Sequence, residues 1–204
     1  MPTRIESAKV SQEPKPCKTT THVVLQINLN VPNGAIMAQI IKTEMTELVT
    51  PSMANFSGNM HGGELLKLLD KVAYTCAMRY SGHYAVTLSV DNVLFKEPIH
   101  IGEMVTCLAT VNYTGRSSME IGIKVIAEDI KAKTVRHTHT CFFTMVAMDE
   151  GKPTPVPKLI IEDETQKRRW NKAVKRREAR LKLQEMMKAI ETEDDAGFEK
   201  AVGK

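Results

Sequence analysis

The sequence predicts an α+β protein in which an antiparallel sheet wraps around one long helix and a basic helical tail follows. Three observations carry that expectation. Residues 63–80, "GELLKLLDKVAYTCAMRY", repeat their apolar positions with a helical period. Four runs between residues 84 and 148 repeat theirs with the period of a strand. Between Lys167 and Lys182 stand nine Lys/Arg and one Glu, or +8 in a chain of +4, so the remainder sums to −4.

Taken in order, residues 1–21 read as a flexible arm, polar and without the apolar core of a secretory signal. Residues 22–160 form the sheet-and-helix domain. "HVVLQINLN" puts Val23, Leu25, Ile27 and Leu29 on one face, and a turn follows at Pro32–Gly34. "IIKTEMTELVTP" is a second extended piece ended by Pro51. On a wheel of about 100° per residue, the helix puts Leu65, Leu66, Leu68, Leu69, Val72, Ala73, Cys76, Ala77 and Tyr80 on an arc of about half the circumference. Such a helix is largely enclosed by a sheet.

"YAVTLSVDNVLFKEP" alternates at Val86, Leu88 and Val90, then changes parity to Val93 and Phe95, which implies a bulge at Asp91–Asn92. Val105, Cys107, Ala109, Val111 and Tyr113 share a phase, as do Met119, Ile121, Ile123, Val125 and Ala127. The run around Cys141–Phe143 is apolar on both faces and suits a central strand. One helix cannot cover both faces of this sheet, so the second face is solvated or used for association. This is the layout of a hotdog fold, whose protomers usually join edge to edge. Residues 161–204 form the basic extension, a surface helix with acids at its start and a thin apolar stripe from Trp170 to Met187. Residues after about Glu191 are expected to hold no fixed structure.

Composition excludes some classes. No run of about 18 apolar residues is present to span a membrane. Cys17, Cys76, Cys107 and Cys141 stand far apart without a CxxC pair, and read as reduced cysteines of a cytoplasmic protein.

Several residues could carry chemistry. Gly62 and Gly63 leave unpaired N–H groups at the positive end of a helix, able to hold a carbonyl oxygen as it becomes negative, or they form a tight turn. Asp70 stands at the edge of the apolar arc. It is either a boundary residue pairing with Lys67 or Lys71, or a carboxylate aimed into an apolar groove, where desolvation would raise its basicity. Asn59 can donate to an oxyanion or a water, or shape a turn. In "YTGRSSME", Arg116 with Ser117 and Ser118 could hold phosphate or amide groups, or make a favourable hairpin turn. His137 and His139, two apart on a strand, share a face; with no third metal ligand nearby they read as packing residues.

"GNMHGGELLKLLD", "TLSVDNVLFKEPIHIGEMV" and "YTGRSSMEIGIKV" occur in this order and together resemble the hotdog-fold acyl-CoA thioesterases, nearest the cytosolic, brain-type acyl-CoA hydrolases. The likeness runs from about Thr46 to Pro157 and into the "KRRW…KRREAR" tail. It implies hydrolysis of fatty acyl-CoA to free acid and CoA, with no metal and no cofactor beyond the CoA of the substrate. It implies Asp70 as general base, Gly63 N–H at the oxyanion and Asn59 positioning water or carbonyl, with attack by Asp70 itself as the other route. Relatives with two fused repeats divide these residues between repeats. A homodimer here would take Asn59 from one protomer and Asp70 from the other, and such dimers commonly form hexamers. Arg116, Ser117 and Ser118 would line the pantetheine and phosphate path, and Val90 and Asp91 would bond the pantetheine arm through their backbone. His61 stands where other members often carry Phe.

Three other readings compete. A non-catalytic acyl-CoA sensor would not need both Asn59 and Asp70. A hotdog dehydratase or hydratase would bring a His with a carboxylate on the helix, whereas His61 is on the loop side. A nucleic-acid or membrane-surface role for the tail rests on charge, with one aromatic, Trp170, and no nucleic-acid partner is expected.

Overall fold

The computed structural model describes residues 40–91 and 93–202, with side chains as far as Ile190. The expected arm, the strand at 22–30, the Pro32–Gly34 turn and Cys17 lie outside the described residues. Strand β1 spans Lys42–Leu48, and a 3-10 turn at Pro51–Met53 follows. Helix α1, Gly62–Ser81, then leads into β2 (Tyr84–Val90), β3 (Met104–Thr114), β4 (Ser118–Asp129) and β5 (Thr134–Asp149). The short β6 (Lys152–Pro153) and the long helix α2 (Glu164–Val202) close the chain. All pairings are antiparallel, in the order β1-β3-β4-β5-β2, with β6 beside β5.

The predicted amphipathic arc forms the core except at Leu66, which is 37% exposed. Leu65, Leu68, Leu69, Val72, Ala73, Cys76, Ala77 and Tyr80 are buried against the sheet's inner face of Val105, Cys107, Ile121, Ile123, Val125, Phe143 and Met145. Helix α1 starts at Gly62 and stops at Gly82, whose φ of 72° lets its N–H turn back to the Met78 carbonyl. Cys76, Cys107 and Cys141 are buried free thiols. Burial pushes the Cys76 thiol up to about 11 and those of Cys107 and Cys141 to about 12, so none of the three is a nucleophile at neutral pH.

Three bulges shift side chains away from the strict alternation that the sequence implied. In β2 the register jumps between Thr87 and Ser89, so Leu88 is the extra residue; the bulge lies upstream of the expected Asp91–Asn92 position. Asp91 continues the ladder, its N–H donating to the Phe142 carbonyl. In β3 the register jumps between Val111 and Tyr113, so Asn112 is extra and Tyr113 leaves the phase of Val111 for the outer face. In β5 the pairing skips Thr138, which separates His137, exposed, from His139, buried. The two histidines therefore do not share a face.

The outer face of the sheet is neither bare nor left wholly to a partner. Trp170 of α2 packs on Tyr113 with ring centres 4.6 Å apart, and Ala173 is fully buried. Arg176 lies 3.6 Å from the centre of the Phe142 ring. Its guanidinium also reaches the buried carboxylate of Glu120 at 2.5 Å, and Arg180 bridges Glu120 at 3.2 Å and Asp91 at 2.7 Å. Helix α2 continues past Glu191 to Val202. Beneath it, Asn112 crosses Gly122, where a Cβ would collide with the Asn112 amide and stand 3.2 Å from the Phe142 ring. Gly122→Ala is expected to lower stability by about 1–3 kcal/mol through overpacking, read from urea unfolding.

Candidate active site

The loop that carries the chain into α1 is held from three sides. Asn55 Oδ1 accepts from the N–H groups of Ser57 at 2.9 Å and Asn59 at 3.2 Å, and Asn55 N–H donates to the Asn59 carbonyl. His61 N–H donates to Met53 O, and Met60 N–H to Ile99 O at 2.7 Å. The loop at 98–103 is in turn pinned by Arg136, which donates to Glu103 at 2.5 and 2.7 Å and to Pro98 O at 2.6 Å. The Arg136 guanidinium holds the Glu103 carboxyl below its ordinary value of 4.5. A carboxylate held low in the folded state contributes stability above about pH 4.5 and loses it as pH falls through the lowered folded value. Glu103→Gln is therefore expected to flatten the fall in stability between about pH 4.5 and that lower value, measured by denaturant midpoints at stepped pH.

Gly63 sits in the first turn of α1, and its N–H is engaged. His61 caps the helix, its Nδ1 accepting from Gly63 N–H at 3.1 Å. An oxyanion at this N–H would replace the imidazole. His61→Ala is expected to cost about 1 kcal/mol of helix capping, seen in thermal unfolding. The ring of Phe95 lies 3.6 Å from where a Gly62 Cβ would stand, so Phe95 and His61 flank the glycine pair. Asn59 is half-buried and bridges His100 through its backbone.

Asp70 is exposed on α1, and its Oδ1 accepts from the Thr87 hydroxyl at 2.6 Å. Lys67 pairs with Glu64 instead, at 3.6 Å. Thr87 belongs to β2, an edge of the sheet that exposes Tyr84, Leu88 and Val90. Among the described residues β2 has no strand on its second side, so the carboxylate stands beside a strand edge with apolar flanks, the kind of edge that a second chain covers. Along the helix, Gly63 and Asp70 are about 10 Å apart at 1.5 Å per residue. One protomer does not bring them to a common reacting atom.

The β3–β4 turn holds Arg116 and Ser117. Gly115 N–H donates to Ser118 O at 2.8 Å, Ala147 N–H to Ser117 O at 2.9 Å and Val156 N–H to Arg116 O at 2.9 Å. The backbone is committed, while the Arg116 side chain is exposed. Val90 pairs with Phe143, and Asp91 has both its N–H and its carboxylate engaged. Burial pushes the Asp91 carboxyl up, against the opposing pull of Arg180. Sequence reasoning passed over Thr87 and Asn55. The Thr87 signal is a hydroxyl in the alternation of β2, and that of Asn55 an Asx turn in the loop before α1.

A helix enclosed by an antiparallel sheet, with a carboxylate beside an open edge strand and a capped N–H at the helix start, defines a hotdog-fold protein. Residues 57–133 match the family model described as Thioesterase superfamily. Protein VdlD of Helicobacter pylori is 54% identical over 141 residues, 69% of this chain and 81% of that one. An uncharacterized acyl-CoA thioester hydrolase of Bacillus subtilis is 36% identical over 136 residues, 66% and 79% of the two chains. Among solved structures, an apo-hexameric acyl-CoA thioesterase superposes with TM-score 0.67 at 37% identity, covering 69% of this chain and 91% of that one. The acyl-CoA hydrolase of Staphylococcus aureus, solved with butyryl-CoA and CoA, gives 0.65 at 32%, covering 73% and 94%. The chain belongs to the acyl-CoA thioester hydrolases of the thioesterase superfamily.

Proposed function

We propose that this protein hydrolyses acyl-CoA thioesters to a free acid and CoA, at sites built from two protomers. The observation that carries the reading is Asp70, held by Thr87 at the open edge of β2, about 10 Å along the helix from the Gly63 N–H of its own chain. Joining two protomers through β2 would set the Asp70 of one opposite the helix start of the other.

In this mechanism Asp70 takes a proton from water, and the water oxygen attacks the thioester carbonyl. Gly63 N–H, released from His61, holds the carbonyl oxygen as it gains charge. The C–S bond then breaks, and the CoA sulfur takes the proton that Asp70 removed from water, which returns Asp70 to its carboxylate form. Thr87 donates to one carboxylate oxygen and fixes the direction of the other. CoA is part of substrate and product, so no separate cofactor enters. If Asp70 attacks directly instead, single turnover in ¹⁸O-water leaves label in its carboxylate.

The Staphylococcus aureus acyl-CoA hydrolase has been solved with an asparagine, an aspartate and a threonine each replaced by alanine, at successive intervals of 15 and 17 residues. Asn55, Asp70 and Thr87 fall at the same intervals in this chain. On that coincidence we assign to Asn55 the positioning role expected of Asn59. With its Oδ1 committed to two backbone N–H groups, the Asn55 amide N–H₂ points away from them, free to donate to carbonyl or water. Asn59 then serves to hold the loop. Arg116, with Ser117 and Ser118, takes the phosphate end of CoA; Arg116→Ala raises KM and leaves kcat within about twofold. Val90 and Asp91 shape that path through the β2 end. We place the protein in the cytoplasm, where buried free thiols persist, as a trimer of dimers.

The experiment is thiol release from acyl-CoAs of short, medium and long chain. Release that saturates with substrate is expected. No release from any chain length, with binding retained, would instead make this an acyl-CoA-binding protein.

A further inference from the structure

The middle turns of α2 face the end of β2 across a groove. Ser89, Val90 and Asp91 form one wall, and Ala179, Arg180, Leu183 and Gln184 the other. Val90 and Leu183 bring apolar surface, 43% and 58% exposed, while Ser89 and Gln184 bring a hydroxyl and an amide. The charges at the groove cancel. Arg176 and Arg180 meet the carboxylates of Glu120 and Asp91, two cations against two anions. Phosphate seeks donors that are not already bound to a carboxylate, so this groove does not suit it. A neutral chain of methylenes and amides fits instead, and the pantetheine arm of CoA is such a chain.

The β2 wall is lightly held at its end. Asp91 follows β2 with one backbone bond, from its N–H to the Phe142 carbonyl at 2.9 Å, and residues 93–98 belong to no strand or helix. Arg180 adds the second hold. It donates to Asp91 Oδ2 at 2.7 Å, from 89 residues further along the chain, and to Glu120 at 3.2 Å. The same side chain marks where α2 last turns inward: Arg180 is 19% exposed, while every residue from Leu181 to Ile190 is exposed. One guanidinium therefore ties both walls of the groove together.

We propose that α2 supplies the second wall of the CoA path, and that Arg180 is a positioning residue that fixes the width of this groove for the pantetheine arm. That the ligand is CoA rests on the proposed hydrolysis. Arg180 touches no reacting atom and acts through Asp91. Without it the two walls part, and the arm must be ordered by binding instead of meeting a preformed slot. Binding then weakens, while a bound thioester still meets Asp70 as before. The loss falls on KM and spares kcat.

The test compares three thioesters of one acyl chain: acyl-CoA, acyl-pantetheine, and acyl-N-acetylcysteamine, which keeps only the sulfur end of the arm. Arg180→Met retains most of the side chain and removes its charge. It is expected to raise KM about tenfold for the first two, with kcat within about twofold, and to leave KM for the third within about twofold. Arg180→Lys should recover part of the loss. Ala179→Phe places bulk in the groove from an exposed position and should raise the same two KM values. Should Arg180→Met release α2, seen in Trp170 fluorescence, Ala179→Phe decides by the same comparison. Equal rises for all three thioesters would mean a general disturbance, and a rise for acyl-CoA alone a phosphate contact; either overturns the proposal, as do unchanged KM values. Calorimetry with free CoA separates this groove from the hydrolytic reading. About tenfold weaker CoA binding by Arg180→Met, in a protein that releases no thiol, would keep the groove and refute hydrolysis. Thiol release by wild type, with CoA bound equally by both proteins, would refute the groove alone.

Discussion

Replacing Asp70 with alanine is expected to lower kcat for thiol release by about 10²–10⁴-fold, the contribution of a positioned general base. The fold should survive the change. Asp70 is exposed, and the bond it loses is one hydroxyl donation from Thr87. A net change near 1 kcal/mol is expected for such a bond, so the thermal midpoint should move by a few degrees at most. Asp70→Asn keeps the size and the acceptor but removes the basic charge, and should fall nearly as far. Thr87→Ala leaves the carboxylate in place with its direction unfixed. Its loss should be smaller, about tenfold, because the base remains but its orientation is spread. Thr87→Ser, which keeps the donor, should recover most of it. Turnover by Asp70→Ala at the wild-type rate would remove this residue from the mechanism.

The second large effect is structural. Glu120 is 1% exposed, and its carboxylate accepts from Arg176 and Arg180, with the Asn112 amide 3.4 Å away. Glu120→Ala leaves two guanidinium groups facing a buried void. Removing one partner of a buried ion pair costs about 3–5 kcal/mol. The lower end applies here, since Arg176 and Arg180 keep 24% and 19% of their side-chain exposure and can turn to water. The loss is expected as release of α2 before the sheet unfolds. Trp170 is the one tryptophan of the chain and packs on Tyr113, so its fluorescence reports that release directly. A fluorescence transition well below the loss of β-sheet signal is the predicted result. A single shared transition with an unchanged midpoint would mean that the network contributes little.

The helix was readable because its whole buried face, from Leu65 to Tyr80, obeys one period. The inner phases of β3 and β4 were readable for the same reason. Bulges broke the rest. One inserted residue at Leu88, Asn112 or Thr138 flips everything beyond it, and neither hydropathy nor turn residues mark those positions. Tyr113 counted as a core residue in phase, yet its ring is the platform for Trp170. The covering of the outer face was hidden because Arg176 and Arg180 look like solvated charges until Glu120 and Asp91, some 60 and 89 residues away, are seen beside them. Helical spacing left Asp70 open between boundary charge and base. The structure adds the Thr87 hydroxyl at the strand edge as a partner of Asp70, through a helix–sheet contact across 17 residues that helical spacing does not show.

A site that draws on two protomers can be tested directly. Asn55→Ala and Asp70→Ala proteins, each inactive alone, can be unfolded together in equal amounts and refolded as a mixture. If each site takes Asn55 from one chain and Asp70 from the other, half of the dimers are mixed and each has one intact site. Thiol release should then return to about a quarter of the wild-type rate per protomer, as expected for a two-fold dimer. Mixed dimers that form but release no thiol above the level of either variant would contradict a site assembled across the β2 edge.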